Sequence, residues 1–292
     1  MEINGYTRTC GVIGHPVEHT MSPAIHNTLA RELGENLVYV PFHVPIGHVG
    51  QAVEGAYALN LLGMNVTVPY KSEVLPYLKE TDPLAETIGA VNTLVRTEGG
   101  FKGYNTDMPG LYRAMCEDGV EIAGERVLIL GAGGVARAVA ILAAEKKAAE
   151  IIILNRTREK AARIAEEVNG LGGRQLAGAL ALEEYASLPE GNYLAIQATN
   201  VGMFPKKGEV VIEDAAFYRK IHTGYDLVFN PARTRFMSLV QQSGGRAFGG
   251  LKMLLYQGII AYELWTGAQV DRALAEKAYE QMRKAMDIAE SR

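Results

Sequence analysis

A short apolar run, a glycine-rich turn and a helical pattern follow one another at residues 126–145, and this combination constrains the fold most strongly. The run RVLIL at 126–130 predicts a buried strand, and the next six residues, GAGGVA, fit the pattern G-x-G-x-x-A. Gly131 permits a tight turn, Gly133 lets backbone N–H groups approach a pyrophosphate, and Ala136 lets the helix pack close to the strand. The helix N-terminus adds the positive end of its dipole. We therefore expect a Rossmann-type dinucleotide site that includes Gly131, Ala132, Gly133, Gly134 and Val135.

The end of the next strand indicates which dinucleotide is bound. Sites for NAD usually place an acidic residue there, roughly 20 residues after the glycine turn, to bind the ribose hydroxyls. This chain has Asn155, Arg156 and Thr157 instead, with Lys160 close behind. A guanidinium can bind a 2′-phosphate through two parallel hydrogen bonds, whereas a carboxylate would repel it. The four residues therefore favour NADP.

The rest of the chain alternates short apolar runs with helical patterns, which is typical of an α/β fold with mostly parallel strands. Its 292 residues, 48% of them hydrophobic, suffice for one large or two medium domains. The expected strands are Cys10–Gly14, Leu37–Val44, Met64–Val68, Val91–Val95, Arg126–Leu130, Ile151–Leu154, Leu194–Ala198 and Asp226–Phe229. A helix is expected to open with Ser22 as N-cap, another to begin near Leu111, and two long helices to close the chain from about Leu251 and Asp271.

Charge and composition exclude several classes of protein. The formal net charge is −4, and the absence of a basic stripe with interleaved aromatics argues against a nucleic-acid partner. The most apolar long window, 127–144, is interrupted by Arg137 and the glycine turn, so we expect no membrane span. The N-terminal residues lack a signal-peptide pattern. Cys10 and Cys116 do not suggest a disulfide framework, which favours a cytoplasmic protein.

Four polar motifs in the first half of the chain lie where strands are expected to end. They are HTMSP at 19–23, NVTVPYK at 65–71, GAVNT at 89–93 and GYNTD at 103–107. In open α/β sheets ligands bind outside the carboxyl ends of strands, so these motifs are expected to converge on one cleft.

In order and spacing, these motifs closely resemble those of the shikimate dehydrogenase family. The resemblance runs from about Cys10 to Trp265 and includes the glycine turn, the Asn155-Arg156-Thr157 triplet and the stretch GLKMLLYQ at 250–257. It implies NADPH-dependent reduction of 3-dehydroshikimate to shikimate in aromatic amino-acid biosynthesis. It also implies two α/β domains around a cleft: a substrate domain of residues 1–107 plus 250–292, to which the terminal helices return, and an NADP-binding Rossmann domain of residues 108–249.

The resemblance also assigns roles to individual residues. Lys71 and Asp107 match the family's catalytic pair, and Thr20 and Ser22 match hydroxyls that bind the substrate carboxylate. The positions that match ring-hydroxyl ligands are Thr67, Asn92, Asp107 and Gln257. Those that match the nicotinamide end of the cofactor site are Leu227 and Gly250.

Three residues depart from the family pattern. Thr20 stands where serine is usual, and its methyl group is expected to crowd the carboxylate pocket. Phe229, a further substrate-contact position, stands where tyrosine is frequent and lacks the phenolic hydroxyl. Gln197 replaces a typical asparagine in the cofactor domain. The departures at Thr20 and Phe229 leave the preference between shikimate and quinate open.

Three other interpretations were weighed against this one. A quinate/shikimate dehydrogenase with broader substrate or NAD use is disfavoured on the cofactor side by Arg156. A non-catalytic NADP-binding regulatory module is disfavoured because Lys71 and Asp107 are both present. A metal enzyme, suggested by His15, His19 and His26, lacks any H-E-x-x-H pattern, so we expect no metal. Besides a small-molecule substrate we expect no partner other than a second copy, that is, a monomer or homodimer.

Overall fold

The computed structural model describes residues 2–173 and 175–290, and the chain divides into two compact units. The first unit comprises residues up to Gly110 together with those from Leu255 onward, and the second comprises Leu111–Leu254. The domain boundaries expected from the sequence lie a few residues before these. Residues 108–110 therefore belong to the first unit and residues 250–254 to the second.

The first unit contains a six-stranded mixed sheet. Its strands are β1 (Arg8–Gly14), β2 (Leu37–His43), β3 (Gly63–Val66), β4 (Glu80–Thr81), β5 (Thr93–Thr97) and β6 (Gly100–Tyr104). In the order β2-β1-β3-β5-β6-β4, β1 lies parallel to β2 and β3, whereas β5 runs antiparallel to both β3 and β6. One buried cluster, which includes Met64, Leu94 and Phe101, packs against this sheet.

Helices surround this sheet and connect its strands. They are α1 (Ser22–Glu32), α2 (Val49–Ala58), α3 (Pro83–Ile88), α4 (Asp107–Glu117), α9 (Leu251–Thr266) and α10 (Arg272–Glu290), with a 3₁₀ turn at Leu75–Tyr77. Helix α4 begins in the first unit and ends in the second, and α9 passes in the opposite direction. Helix α10 packs on α1, so the terminal helices do return to the first unit as expected.

The second unit contains a six-stranded parallel sheet. Its strands are β7 (Arg126–Leu130), β8 (Glu150–Asn155), β9 (Ala177–Ala181), β10 (Tyr193–Gln197), β11 (Ile221–Asp226) and β12 (Arg246–Gly249). The order β12-β11-β10-β7-β8-β9 is that of a doubly wound Rossmann sheet, whose strand order reverses between β7 and β10. Its helices are α5 (Gly134–Glu145), α6 (Arg158–Gly172), α7 (Ala215–Tyr218) and α8 (Arg235–Gln242), with a 3₁₀ turn at Leu182–Ser187.

The boundaries of two expected elements were wrong by three to five residues. The strand expected at Asp226–Phe229 instead ends at Asp226, because the Asp226 carboxylate accepts a hydrogen bond from the Val228 backbone and turns the chain. The helix expected near Leu111 starts at Asp107, because Asn105 Oδ1 accepts hydrogen bonds from the amides of Asp107 and Met108.

Within residues 2–173 and 175–290, every helix is too short or too polar to span a bilayer.

Candidate active site

Lys71 and Asp107 form an ion pair in the first unit. Lys71 Nζ donates to Asp107 Oδ2 at 2.5 Å, and the two side chains are 32% and 18% exposed. Such partial burial strengthens the attraction between the charges relative to bulk water while leaving the pair accessible to a small molecule. The pair can therefore present an ammonium group in a fixed position.

Sheet topology explains why these two residues meet. Lys71 lies beyond the end of β3, and Asp107 lies beyond the end of β6. Since β5 is antiparallel to both strands, its first residues lie at the same edge of the sheet as the ends of β3 and β6. Asn92, directly before β5, is thereby placed beside Asp107.

Asn92 is the centre of a buried hydrogen-bond network. Its Nδ2 donates to Asp107 Oδ1 at 2.8 Å, and its Oδ1 accepts from the Thr106 amide at 2.7 Å. The hydroxyls of Thr93 and Thr106 also donate to Oδ1, at 3.2 and 3.1 Å. Asn92 is only 2% exposed. Because its carboxamide bonds on both sides, it orients the carboxylate that pairs with Lys71.

Gln257 reaches the same network from α9. Its Oε1 lies 3.5 Å from Asn92 Nδ2. The close approach of α4 and α9 requires a glycine at position 110, where a Cβ would lie 2.6 Å from the Gln257 backbone nitrogen. Gln257 is thus held next to Asn92 by backbone packing.

Thr67 begins the turn that carries Lys71. The Tyr70 amide donates to Thr67 O at 2.9 Å, and the Lys71 carbonyl accepts from the Val91 amide at 2.7 Å. A Cβ at Gly14 would lie 2.4 Å from the Thr67 methyl group, so only glycine fits at the end of β1. These contacts fix the backbone on both sides of the lysine.

Thr20 and Ser22 lie beyond the end of β1, the parallel neighbour of β3, and hence at the same edge of the sheet as Lys71. Ser22 is buried and is the first residue of α1, whereas Met21 occupies the N-cap position expected for Ser22. The Ser22 amide donates to Thr20 Oγ1 at 3.3 Å. The Thr20 hydroxyl accepts this bond and can still donate its own proton to an anion.

The glycine turn in the second unit lines a cavity of about 740 Å³. Gly131 has φ +115°, and a Cβ there would lie 2.8 Å from Thr199 Cγ2, so the turn requires glycine. At Gly133 and Gly134 a Cβ would meet no atom within 4 Å. Open space thus lies in front of the backbone at the start of α5, next to Ala132 and the half-exposed Val135.

Asn155, the last residue of β8, and Arg156, which follows it, line the same cavity. Asn155 Nδ2 donates to the Thr157 carbonyl at 2.9 Å, which shapes the turn into α6. Arg156 is exposed and makes no ion pair with any residue in the described ranges, and Lys160 is exposed on the first turn of α6. The cavity therefore has an uncompensated cation at its edge.

Leu227 and Gly250 touch at the ends of β11 and β12. A Cβ at Gly250 would lie 2.4 Å from the Leu227 carbonyl oxygen, and the Gly250 amide donates to Val228 O at 3.1 Å. Phe229 lies two residues beyond Leu227 and is partly exposed. All three residues belong to the second unit, whereas the expected substrate contacts other than Phe229 belong to the first.

Family models match three parts of the chain. They describe a shikimate dehydrogenase substrate binding domain at residues 12–94, a shikimate/quinate 5-dehydrogenase at 114–200 and a shikimate 5′-dehydrogenase C-terminal domain at 250–278. A shikimate dehydrogenase (NADP(+)) from Carboxydothermus hydrogenoformans is 41% identical over 278 residues, which cover 95% of this chain and 98% of that protein. This chain belongs to the shikimate dehydrogenase family.

Solved structures of other family members share the whole fold. A shikimate 5-dehydrogenase from Listeria monocytogenes, in complex with shikimate and NAD, is 32% identical with a TM-score of 0.87 and 98% coverage of both chains. The enzyme from Thermus thermophilus, in complex with NADP(H) and shikimate, is 33% identical with a TM-score of 0.83, covering 96% of this chain and 100% of that one. The similarity therefore extends over both units.

The histidines considered as metal ligands do not converge. His26 is buried and stacked on Tyr39, with ring centroids 4.1 Å apart, and burial lowers its pKa to about 3. His15 Nδ1 lies 2.7 Å from His43 Nε2. Over residues 2–173 and 175–290, His, Cys, Asp and Glu side chains form no group of three that could hold a metal ion.

Several residues of the hydrogen-bond network around Asn92 and Asp107 were not singled out from the sequence. They are Asn65, Thr93, Asn105 and Thr106. Asn65, for example, donates from Nδ2 to the Asn92 carbonyl at 3.2 Å, and its Oδ1 accepts from the Tyr39 hydroxyl at 2.7 Å. Their positions inside the polar motifs at 65–71, 89–93 and 103–107 were the only available signal, because asparagine and threonine are also ordinary turn residues.

Proposed function

We propose that this enzyme catalyses the reversible NADPH-dependent reduction of 3-dehydroshikimate to shikimate. The supporting observation is the Lys71–Asp107 ion pair, held by Asn92 at the sheet edge where Thr20, Ser22 and Thr67 also lie. In this proposal the first unit is the substrate domain, and the second unit is the NADP domain.

The residues of the second unit fit NADP. Gly131 makes the tight turn, the backbone at Gly133 and Gly134 leaves room for a pyrophosphate at the start of α5, and the exposed Arg156 offers a guanidinium to a 2′-phosphate. The remaining proposed contacts to the cofactor are Ala132, Val135, Asn155, Thr157, Lys160, Leu227 and Gly250. When bound, the reduced cofactor supplies the hydride.

Lys71 carries the acid–base role in this proposal. Negative charge builds on the carbonyl oxygen of the substrate during reduction, and the ammonium group of Lys71 stabilises it and donates a proton to that oxygen. Asp107 keeps Lys71 in position through the 2.5 Å ion pair. In the direction of oxidation, neutral Lys71 takes the proton from the hydroxyl.

Substrate recognition is assigned to hydroxyl and amide groups. The Thr20 and Ser22 hydroxyls bind the carboxylate, while Thr67, Asn92, Asp107 and Gln257 bind ring hydroxyls. A site lined with such groups rejects analogues that leave them unpaired. Phe229 contributes an apolar contact without a hydrogen bond.

An absorbance assay of reduced nicotinamide formation, crossing shikimate and quinate with NADP and NAD, tests the proposal. Shikimate with NADP is expected to give the highest kcat/KM. Faster turnover of quinate, or with NAD, would contradict the assignment of substrate or cofactor. NADP binding by calorimetry without turnover of either acid would instead indicate a non-catalytic NADP-binding module.

The cellular setting and assembly complete the proposal. Cys10 and Cys116 are both free thiols, which suits a reducing cytoplasm. We infer a cytoplasmic monomer or homodimer, and light scattering after size-exclusion chromatography distinguishes these states from larger oligomers.

A further inference from the structure

Gln197 and Asp226 form a buried hydrogen-bonded pair at the ends of two adjacent strands. They are the last residues of β10 and β11 and lie opposite each other in the parallel register. Gln197 is 1% exposed and Asp226 is fully buried. Gln197 Nε2 donates to Asp226 Oδ1 at 3.3 Å, which joins the loops that follow the two strands.

The Gln197 carboxamide holds the loop that follows β10. Its Oε1 accepts from the Thr199 amide at 2.7 Å and from the Thr199 hydroxyl at 2.6 Å, while Nε2 also donates to the Val201 carbonyl at 3.1 Å. Residues 198–201 line the 740 Å³ cavity, and the Thr199 methyl group is the atom that excludes a side chain at Gly131. One side chain thus fixes a wall of the cavity against the glycine turn.

Asp226 holds the loop that follows β11. Its carboxylate accepts from the Val228 amide at 3.0 Å and from the Thr234 hydroxyl at 2.5 Å, and the Val228 carbonyl in turn accepts from Gly250. With Gln197 included, all three partners of Asp226 donate, so the ionised carboxylate satisfies them best. Burial raises the pKa of Asp226 to about 6, which leaves it mostly ionised at neutral pH.

We propose that Gln197 is a positioning residue for the dinucleotide. Its carboxamide and the Asp226 carboxylate jointly fix two surfaces, the cavity wall at 198–201 and the Leu227–Gly250 contact. This inference rests on the proposed function, which places the cofactor against both surfaces. The role needs one group that accepts two hydrogen bonds and donates two. It also needs the length of glutamine, because asparagine would withdraw the carboxamide by about 1.5 Å from Asp226 or from Thr199.

The first experiment shortens the side chain. Calorimetry without substrate measures the Kd for NADP of Gln197→Asn, with Gln242→Asn, exposed at the end of α8, as the matched control. We expect the Kd of Gln197→Asn to rise about tenfold, because a buried carboxamide loses partners, and that of the control to stay within about twofold of wild type. The Kd for shikimate is expected to change by less than about twofold in both variants, since its proposed ligands lie mainly in the first unit.

A second variant keeps the length of the side chain and adds charge. Gln197→Glu places a second carboxyl group against Asp226, and both ionise as the pH rises from 6 to 8. The Kd of Gln197→Glu for NADP, divided by the Kd of Gln242→Glu for NADP at the same pH, is expected to rise about tenfold between pH 6 and pH 8. The control removes the contribution of the 2′-phosphate's own titration.

These outcomes separate the inference from the proposed function. An unchanged Kd for NADP in Gln197→Asn, or a pH-independent ratio in Gln197→Glu, overturns the positioning role even if the enzyme turns over shikimate normally. Equal losses of NADP and shikimate binding would indicate general destabilisation and would likewise overturn it. Lack of shikimate turnover in the wild-type protein counts against the proposed function, whereas the binding measurements need no turnover.

Discussion

Lys71 Nζ lies 2.5 Å from Asp107 Oδ2, although 36 positions separate the two residues in the sequence. The carboxylate is itself held by Asn92 through its other oxygen, so the ammonium group has one defined position. In the proposed mechanism, this relationship gives the site its acid–base character.

Replacing Lys71 by alanine should remove the proposed general acid. We expect kcat to fall by roughly 10²–10⁴-fold, the usual contribution of a positioned general acid, with a smaller change in the KM for shikimate. Lys284→Ala, exposed on α10, is the matched control and should retain wild-type kcat. Near-normal turnover of Lys71→Ala in the steady-state assay would exclude the proposed role.

Arg156→Ala should weaken NADP binding selectively. Loss of a charge-assisted hydrogen bond to the 2′-phosphate is expected to raise the Kd for NADP about 10- to 100-fold, while the Kd for NAD stays nearly constant. Arg163→Ala, exposed on α6, is the control and should change neither value. Calorimetric titration with both dinucleotides checks this prediction. Equal losses of affinity for NADP and NAD would show that Arg156 does not bind the 2′-phosphate.

Asp226 should make stability depend on pH in a defined direction. Burial raises its pKa from 3.8 to about 6 in the native state. Burial and, to a smaller extent, the Asp226 charge also raise the pKa of the neighbouring Tyr218 phenol on α7. Between about pH 4 and 6 the native state therefore binds more protons than the unfolded state, so this group lowers the free energy of unfolding as the pH rises. Above pH 6 the buried, ionised Asp226 lowers the free energy of unfolding by its full contribution, about 3 kcal/mol.

Comparison with Asp226→Asn isolates this effect. The free energy of unfolding of the variant minus that of the wild type should increase by about 2 kcal/mol between pH 4.5 and pH 8, as measured by urea denaturation. A difference that is constant over this range would mean that Asp226 titrates normally.

Thr20→Ser should preserve activity and tighten substrate binding. Removal of one methyl group relieves crowding beside the proposed carboxylate pocket while the hydroxyl donor remains, so the KM for shikimate is expected to fall roughly threefold or more. Thr87→Ser, exposed on α3, serves as control. A sharp rise in KM for Thr20→Ser in the same assay would refute the steric explanation.

Local patterns in the sequence were sufficient to predict the Rossmann turn. Gly131 needs a positive φ and Gly133 opens the backbone, and both requirements are properties of a few adjacent residues. The cation at Arg156 was predictable for the same reason, because it follows the next strand directly. The Lys71–Asp107 pair was assigned through the family resemblance, since neither residue is distinctive by itself.

Only the tertiary structure decided how the polar motifs join. The antiparallel strand β5 inserts between β3 and β6 and places Asn92 against Asp107, and the sequence pattern does not reveal strand direction. The Gln197–Asp226 pair likewise depends on the neighbouring positions of β10 and β11 in the sheet. Hydrogen bonds between residues this far apart follow from strand order and register, which are set by packing of the whole unit, whereas turn and cap chemistry is set by the residues next to it.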